Sequence, residues 1–228
     1  IVTRFPPEPN GYLHLGHVKA MFTNFMYAKI KNGKCYMRFD DTNPSKEKQE
    51  YIDAILEDIK WMGYEPYKIT YTSDYFDILF DYAIKLIEMD KAYICELNEA
   101  DMRQQRYDCV ESSFRNRPID ESLRLFNEMK EGKHKEGSMT LRLKCDMKHG
   151  NPNMRDIVAF RILFKEHPRT GNKWVIYSTY DYSHPIVDSL ENITHSLCSS
   201  EFKIRNELYR WVTETLGIYR CPQIEYSR

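Results

Sequence analysis

Residues 6–17, PPEPNGYLHLGH, constrain this chain more than any other stretch. Three prolines and a glycine within residues 6–11 exclude a continuous helix or strand there, because proline fixes φ and lacks the N–H donor. The segment must be a rigid loop between two regular elements. Before it, Ile1–Phe5 reads as a short strand. After it, Leu15, Val18, Phe22, Phe25 and Met26 recur at helical spacing and predict an amphipathic helix over Leu15–Ile30 with those five on its core face. Asn32-Gly33 then reads as a helix stop, since both residues tolerate the left-handed conformation of a C-cap. Cys35–Phe39 is a second strand, and Asn43 to Ser45 would cap a helix running to about Trp61. Strand, helix, strand, helix is the opening of a parallel α/β sheet.

The rhythm changes after Asp74. One more helix is expected to about Met89, then a charged helical stretch over 98–136, a half-buried strand over Ser138–Lys144, and turns at Asn151–Asn153 and Pro168–Asn172. From Tyr180 the α/β pattern resumes, with a helix over 180–190, a strand over Ile193–Cys198, a helix from about Glu201 to Leu216 and a strand near Gln223–Tyr226. Residues 75–179 are therefore expected to interrupt a sheet built from 1–74 and 180–228. Residues 101–179 carry 16 Lys and Arg against 11 Asp and Glu although the whole chain has a net charge of −1. A polyanion would be drawn to that segment, although an ordinary solvated face would look the same.

With 42% hydrophobic and 29% charged residues the composition is that of a water-soluble globular protein, and no apolar run approaches the roughly 18 residues of a membrane helix. The opening IVTRFPPEPNG has no basic and apolar signal segment, so a cytoplasmic protein is expected; it also lacks an initiator Met, so a native start elsewhere is expected. The six cysteines (35, 95, 109, 145, 198 and 221) form no CxxC or CxH pair. They read as reduced thiols, with no metal site expected.

His14-Leu15-Gly16-His17 lies where a strand hands over to a helix, the end of an open parallel sheet that receives ligands. Two imidazoles beside the free N–H groups of a helix start could hold an anion. Gly16 would let a flat base or sugar approach the backbone. Donors aimed at a phosphate under attack stabilise the charge that develops on it. The plainer alternative is a pair of surface histidines near a helix cap.

Together with these residues, TRFPPEPNGYLHLGH (3–17), RFDDTNP (38–44), TGNKW (170–174), YDYSH (180–184) and ITHSLCSSEF (193–202) resemble the glutaminyl/glutamyl branch of the class I aminoacyl-tRNA synthetases, in the family's order and over essentially the whole chain. The resemblance implies a Rossmann-like ATP and amino-acid domain (1–74 and 180–228), interrupted by an α+β acceptor-stem-binding insertion (75–179). It implies an amino acid activated as an adenylate by ATP, brought with Mg2+ as a substrate complex, and then passed to tRNA. His14 and His17 of the HIGH motif would be catalytic. Glu8, Asn10, His14, Gly16, His17 and Leu197 would line the ATP site. Arg4, Asp40, Tyr180, His184, Ser196, Cys198, Ser199 and Phe202 would line the amino-acid site. Asp40 would take the substrate's α-amino group, and Tyr180 and His184 would face its side chain. Read without the family, Asp40-Asp41 is a capping pair after a strand, and Tyr180 and Tyr182 are core aromatics.

Glutamine and glutamate are nearly isosteric, so a pocket separates them by charge and hydrogen-bond polarity. A glutamate pocket calls for a fixed cation. Cys198 stands where glutamyl relatives carry an Arg, and Asn10 in EPNG and His184 also resemble the glutamine enzymes. Residues 185–188 and 167–170 look closer to glutamyl relatives, which keeps that specificity open as the alternative. A catalytically silent tRNA-binding paralogue is a second one. A tRNA-modifying paralogue would need a cysteine cluster in the insertion, and a small-metabolite adenylyltransferase would not explain the later motifs. Ile204 replaces an Asp with which some relatives read the acceptor stem. The family's KMSKS-like loop and anticodon-binding barrels lie beyond these residues, so residues 1–228 alone are expected to charge tRNA poorly. Neither oligomeric state nor membership of a multi-synthetase complex is written in these motifs.

Overall fold

The computed structural model describes residues 1–227. Strand β1 (Val2–Phe5), helix α1 (Leu15–Ile30), β2 (Lys34–Phe39), α2 (Gln49–Trp61) and β3 (Lys68–Tyr71) form a parallel sheet in the order β1-β2-β3. Helix α3 (Phe76–Glu88) leads into an antiparallel sheet of β4 (Ala92–Cys95), β5 (Thr140–Leu143), β6 (Val158–Ile162) and β7 (Ile176–Ser178), with α4 (Glu99–Tyr107) and α5 (Ile119–Lys130) between β4 and β5. The chain then returns through α6 (Tyr180–Leu190), β8 (Ser196–Ser199), α7 (Asn206–Leu216) and β9 (Gln223–Tyr226), where β8 and β9 pair in parallel.

The two parallel sheets meet along β1. The N–H groups of Thr194 and His195 both donate to the Val2 carbonyl, at 2.9 and 3.2 Å. The order is thus β3-β2-β1-β8-β9, and the direction of strand addition reverses between β1 and β8. Ligands bind at such a reversal, beyond the carboxyl ends of the strands.

The faces of the β1-β2-β3 sheet differ in chemistry. Phe5, Met37 and Phe39 point one way and join Met21, Phe25 and Ala28 of α1 and Ile52, Ile55 and Ile59 of α2 in an apolar core. Arg4, Arg38 and Thr70 share the other face, by strand register, and all are almost wholly buried. Helix α6 meets them with carboxylates. Asp188 Oδ1 accepts from Arg4 Nε at 3.0 Å and from Arg38 Nη2. Glu191 accepts from Arg38 Nη1 at 2.7 Å and from Thr70 Oγ1 at 2.6 Å. Burial opposes the Asp188 charge, but Arg4, His184 and Arg38 outweigh it and hold the carboxyl well below the usual range. A larger core runs from α3 through Phe126, Leu141 and Phe160 to Ile186 and Val187 of α6 and Leu208 and Val212 of α7. The antiparallel sheet and the returning helices therefore share one apolar interior.

Several local expectations change. Leu15 and Phe22 are 84% and 54% exposed, and α1 instead seats Met21, Phe25 and Ala28 on the sheet. This helix is apolar over much of its circumference, so spacing alone did not select its face. Asn32 takes the left-handed conformation (φ 49°), whereas Gly33 is required by contact: a Cβ there would lie 2.3 Å from the Ile1 carbonyl oxygen. Asn43–Ser45 do not cap α2. They form a turn whose Asn43 N–H is taken by Glu47 at 2.6 Å, and α2 starts at Gln49. The charged stretch 98–136 splits into α4 and α5, with Cys109 left-handed (φ 58°) between them. In β5, Arg142 is fully buried rather than facing water, its Nε donating to the Asp156 carbonyl at 2.8 Å. Residues 200–205 are a 3-10 turn ahead of α7, and β8 begins at Ser196.

Replacing one member of a buried ion cluster leaves the others uncompensated. Asp188→Ala is expected to cost about 3–5 kcal/mol of stability by equilibrium urea unfolding. A loss below about 1 kcal/mol would mean that Arg4 and Arg38 do not depend on this carboxylate.

Candidate active site

The stretches that follow β1, β2 and β8 carry half of the expected residues, and the rest lie on β1, α6 and β8 themselves. After β1, His14 is the N-cap of α1. Its Nδ1 accepts from the Gly16 N–H at 3.1 Å, and His17 Nδ1 accepts from the His14 N–H at 3.2 Å. The rings lie 3.9 Å apart. Both Nδ1 atoms act as acceptors, so the proton of each neutral ring sits on Nε2. Burial, then the neighbouring His14, lowers the His17 pKa, which favours the neutral ring. The N–H groups of Gly16 and His14 are thus occupied by the two rings, and those of His17 and Val18 bond the His14 carbonyl. This narrows the expectation of free backbone donors: among the N–H groups of residues 14–18 that of Leu15 alone lacks a partner, and it stands beside two imidazole Nε2–H groups. Gly16 has a reason in the same geometry, because a Cβ would stand 3.0 Å from His14 Cε1. Glu8 and Asn10 are exposed and joined to each other, Asn10 Nδ2 donating to Glu8 at 2.6 Å.

After β2 the adjacent carboxylates Asp40 and Asp41 divide their work. Asp41 caps the turn after β3, accepting from Ser73 N–H at 2.8 Å and Ser73 Oγ at 2.6 Å, and its carbonyl accepts from His167 Nε2 at 2.8 Å. Asp40 is 7% exposed, and its Oδ1 is buried with no hydrogen-bond partner. Burial, then the charge of Glu8, pushes the Asp40 carboxyl up to about 6; Arg38 and a hydrogen bond with Thr42 work against this. A buried carboxylate oxygen without a donor attracts a cation that can donate to it.

Beyond β8, a cleft is lined by Tyr180, His184, Cys198 and Phe202 among the expected residues. The Tyr180 and His184 rings stack at 4.8 Å, and Phe202 tilts against Tyr180 at 6.1 Å. Burial raises the Tyr180 pKa, so its hydroxyl stays protonated. Burial lowers that of His184, whose Nε2 lies 2.7 Å from Arg4 Nη2 and 3.1 Å from Asp188 Oδ2. An Nε2 proton serves Asp188, and a bare Nε2 serves Arg4.

Arg4 lies beneath this cleft rather than lining it. It is 2% exposed, and besides Asp188 it donates to Ser196 Oγ at 2.6 Å and to the Leu197 carbonyl at 3.2 Å. It fills the gap where β1 and β8 part, and Ser196 and Leu197 are held by it. Ser199 ends β8 opposite Tyr226. Reading by residue type overlooked Asp181, Arg205, Tyr209 and Gln223, which also line the cleft, and Asp188 below it. Asp181 sits inside the YDYSH motif, whereas the partners that give it and Asp188 meaning are distant in sequence. Among the described residues, no group of three His, Cys, Asp or Glu could hold a metal ion, and no helix is long and apolar enough to cross a membrane.

The cleft beside β8 and the histidine-capped start of α1 both lie beyond the carboxyl ends of parallel strands, where α/β proteins receive ligands. Residues 1–228 match the family described as tRNA synthetases class I (E and Q), catalytic domain, and the chain belongs to that family. It is 55% identical over 228 residues to the "Probable glutamine--tRNA ligase" of Dictyostelium discoideum, covering 100% of this chain and 29% of that protein. It is 54% identical, with the same coverage, to "Glutamine--tRNA ligase, cytoplasmic" of Arabidopsis thaliana. Over 234 residues it is 50% identical to the "Glutamine--tRNA ligase" of Chromobacterium violaceum, covering 100% of this chain and 42% of that protein. The chain thus spans well under half the length of these curated relatives. Its fold is shared with a solved glutamate-tRNA synthetase of Elizabethkingia anophelis, with a TM-score of 0.73 at 21% identity, covering 100% of this chain and 50% of that one.

The histidine pair gives a test independent of turnover. Nitrogen-15 NMR should find the neutral rings of His14 and His17 as Nε2–H tautomers. Gly16→Ala should drive the His14 ring off its cap and mix its tautomers, at a cost of about 1 kcal/mol or less in stability. Unchanged tautomers in that variant would contradict the cap.

Proposed function

We propose that the full-length protein ligates glutamine to its tRNA by way of a glutaminyl-adenylate. The observation that carries this reading is the buried, partnerless Oδ1 of Asp40 just beyond the carboxyl end of β2, close enough to Tyr180 for its charge to act on that hydroxyl. The substrate's α-ammonium is the donor that oxygen lacks. With the ammonium on Asp40, the side chain enters the cleft of Tyr180, His184, Cys198 and Phe202. The carboxylate is left facing the start of α1. There it attacks the α-phosphorus of ATP, the bond to the β-phosphate oxygen breaks, and pyrophosphate leaves. His14 and His17, each with Nε2–H outward, donate to phosphate oxygens as negative charge builds on them. Mg2+ arrives on the phosphates of ATP and screens their charge. The terminal adenosine hydroxyl of tRNA then attacks the activated carbonyl and AMP departs.

Residues 75–179, whose basic surplus lies within 101–179, are proposed to receive the acceptor stem, where phosphate contacts would set the register of the RNA. A cytoplasmic location is proposed with the same activity. Cys198, uncharged where a glutamate pocket calls for a fixed cation, supports glutamine.

The deciding measurement is ATP–pyrophosphate exchange by the full-length protein with tRNA present. Glutamine should support exchange and glutamate should not. A preference for glutamate would replace this reading by the glutamyl one, and exchange with neither would leave a silent tRNA-binding paralogue. His14→Ala with His17→Ala should lower the glutamine-dependent rate by about a hundredfold or more, as loss of oxyanion-type donors does.

The Asp40 carboxyl also predicts a pH dependence. A carboxyl near 6 loses its charge as pH falls through 6, while the ammonium of the amino acid stays charged. The kcat/KM for glutamine should therefore fall about tenfold per pH unit well below pH 6. The midpoint for kcat should be lower, because the bound ammonium holds Asp40 ionised. Identical midpoints for the two parameters would argue against Asp40 as the ammonium site.

A further inference from the structure

Among the described residues, the charged ones that line the cleft are Asp181 and Arg205. They come from different elements, the first turn of α6 and the end of the 3-10 turn that follows β8, and they form an ion pair. Arg205 is held by more than charge. Its guanidinium carbon lies 5.4 Å from the centre of the Tyr180 ring and 5.9 Å from that of Phe202. The side chain is 39% exposed and that of Asp181 is 25% exposed, so the pair stands at the mouth of the cleft. Below it, Arg4 is likewise neutralised by the carboxylate of Asp188. The two guanidinium groups at this cleft, one at its rim and one under its floor, thus each contact a carboxylate of α6.

This pairing bears on the choice between an amide and a carboxylate. The two side chains have the same shape and differ by one unit of charge, so contact alone cannot separate them. A guanidinium fixed at the mouth would attract the carboxylate, and a cation is the feature that selects it. The partner that removes this attraction is Asp181. We propose that Asp181 is a specificity-determining residue: by pairing with Arg205 at the mouth of the cleft, it keeps the amino-acid pocket electrically neutral and so disfavours glutamate relative to glutamine. This rests on the reading above, that the cleft receives the substrate side chain. Asp181 acts through Arg205 and need not touch the amino acid.

The test compares kcat/KM for glutamine and for glutamate in tRNA-dependent exchange by the full-length protein. Asp181→Asn removes the charge at constant shape and should raise the glutamate-to-glutamine ratio by about tenfold or more. Arg205→Gln should not raise it. The double variant restores neutrality, and its ratio should return to within about threefold of the unaltered protein. A mere clamp would behave otherwise: Asp181→Asn would then weaken both amino acids alike, and the second substitution would restore nothing. That result overturns the proposal. Asp181→Ser, which also removes the charge, takes the place of the asparagine variant if that fails to fold. An unaltered protein that selects glutamine, with an unchanged ratio in both Asp181 variants, removes this inference alone. One that activates neither amino acid removes the reading of the cleft as well.

Discussion

The carboxylate of Asp188 is the interaction on which the other parts of the site depend. It sits on α6 against the charged face of the parallel sheet and meets Arg4 of β1, Arg38 of β2, His184 one turn away on its own helix, and the Tyr209 hydroxyl of α7 at 3.2 Å. Four elements are tied through two oxygens. A charged face inside a sheet is costly unless every charge is compensated, and here the compensation also has a geometric product. Arg4, fixed by Asp188, spans the gap between β1 and β8 and holds Ser196 and the Leu197 carbonyl. The opening between those strands, where the cleft lies, is therefore a supported gap.

The segment inserted between the two halves of the parallel sheet also helps to build the site. His167 bonds the Asp41 carbonyl, and Arg161 of β6 donates to the Thr42 carbonyl at 3.1 Å. Both contacts grip the loop that carries Asp40. The Nδ1 of His167 accepts from the Arg169 N–H at 3.1 Å, which leaves its proton on Nε2 for Asp41. Asp40 is thus presented by a loop clamped from outside its own sheet, and its partnerless oxygen is held ready for a cation.

Much of this was legible in the sequence. The PPEPNG loop and the strand and helix around it fall where residue chemistry predicts, because proline and glycine act locally. Helices 15–30 and 180–190 and the strand at 223–226 have the expected bounds. Strands β3, β4, β6 and β7 went unrecognised, being three to five residues long. So short a strand carries little periodicity, and its identity comes from its neighbours in the sheet. The buried face of α1 was misjudged for a related reason: a helix apolar on several sides leaves the choice of face to whatever packs against it.

The sequence by itself determined the sheet's opening βαβ rhythm, the HLGH helix start, the carboxylates after β2 and the resemblance to class I synthetases of the glutaminyl/glutamyl branch, since each depends on residues adjacent in the chain. Only the tertiary structure decided which of these groups are free to act. It turned the N–H groups of His14 and Gly16 onto the histidine rings, gave Asp41 to Ser73 while leaving Asp40 Oδ1 unpaired, and took Arg4 out of the cleft. It also brought Asp181 to Arg205 across 24 positions of chain. Whether a polar group is spent or available depends on partners far away in sequence, and those partners meet only when the chain is folded.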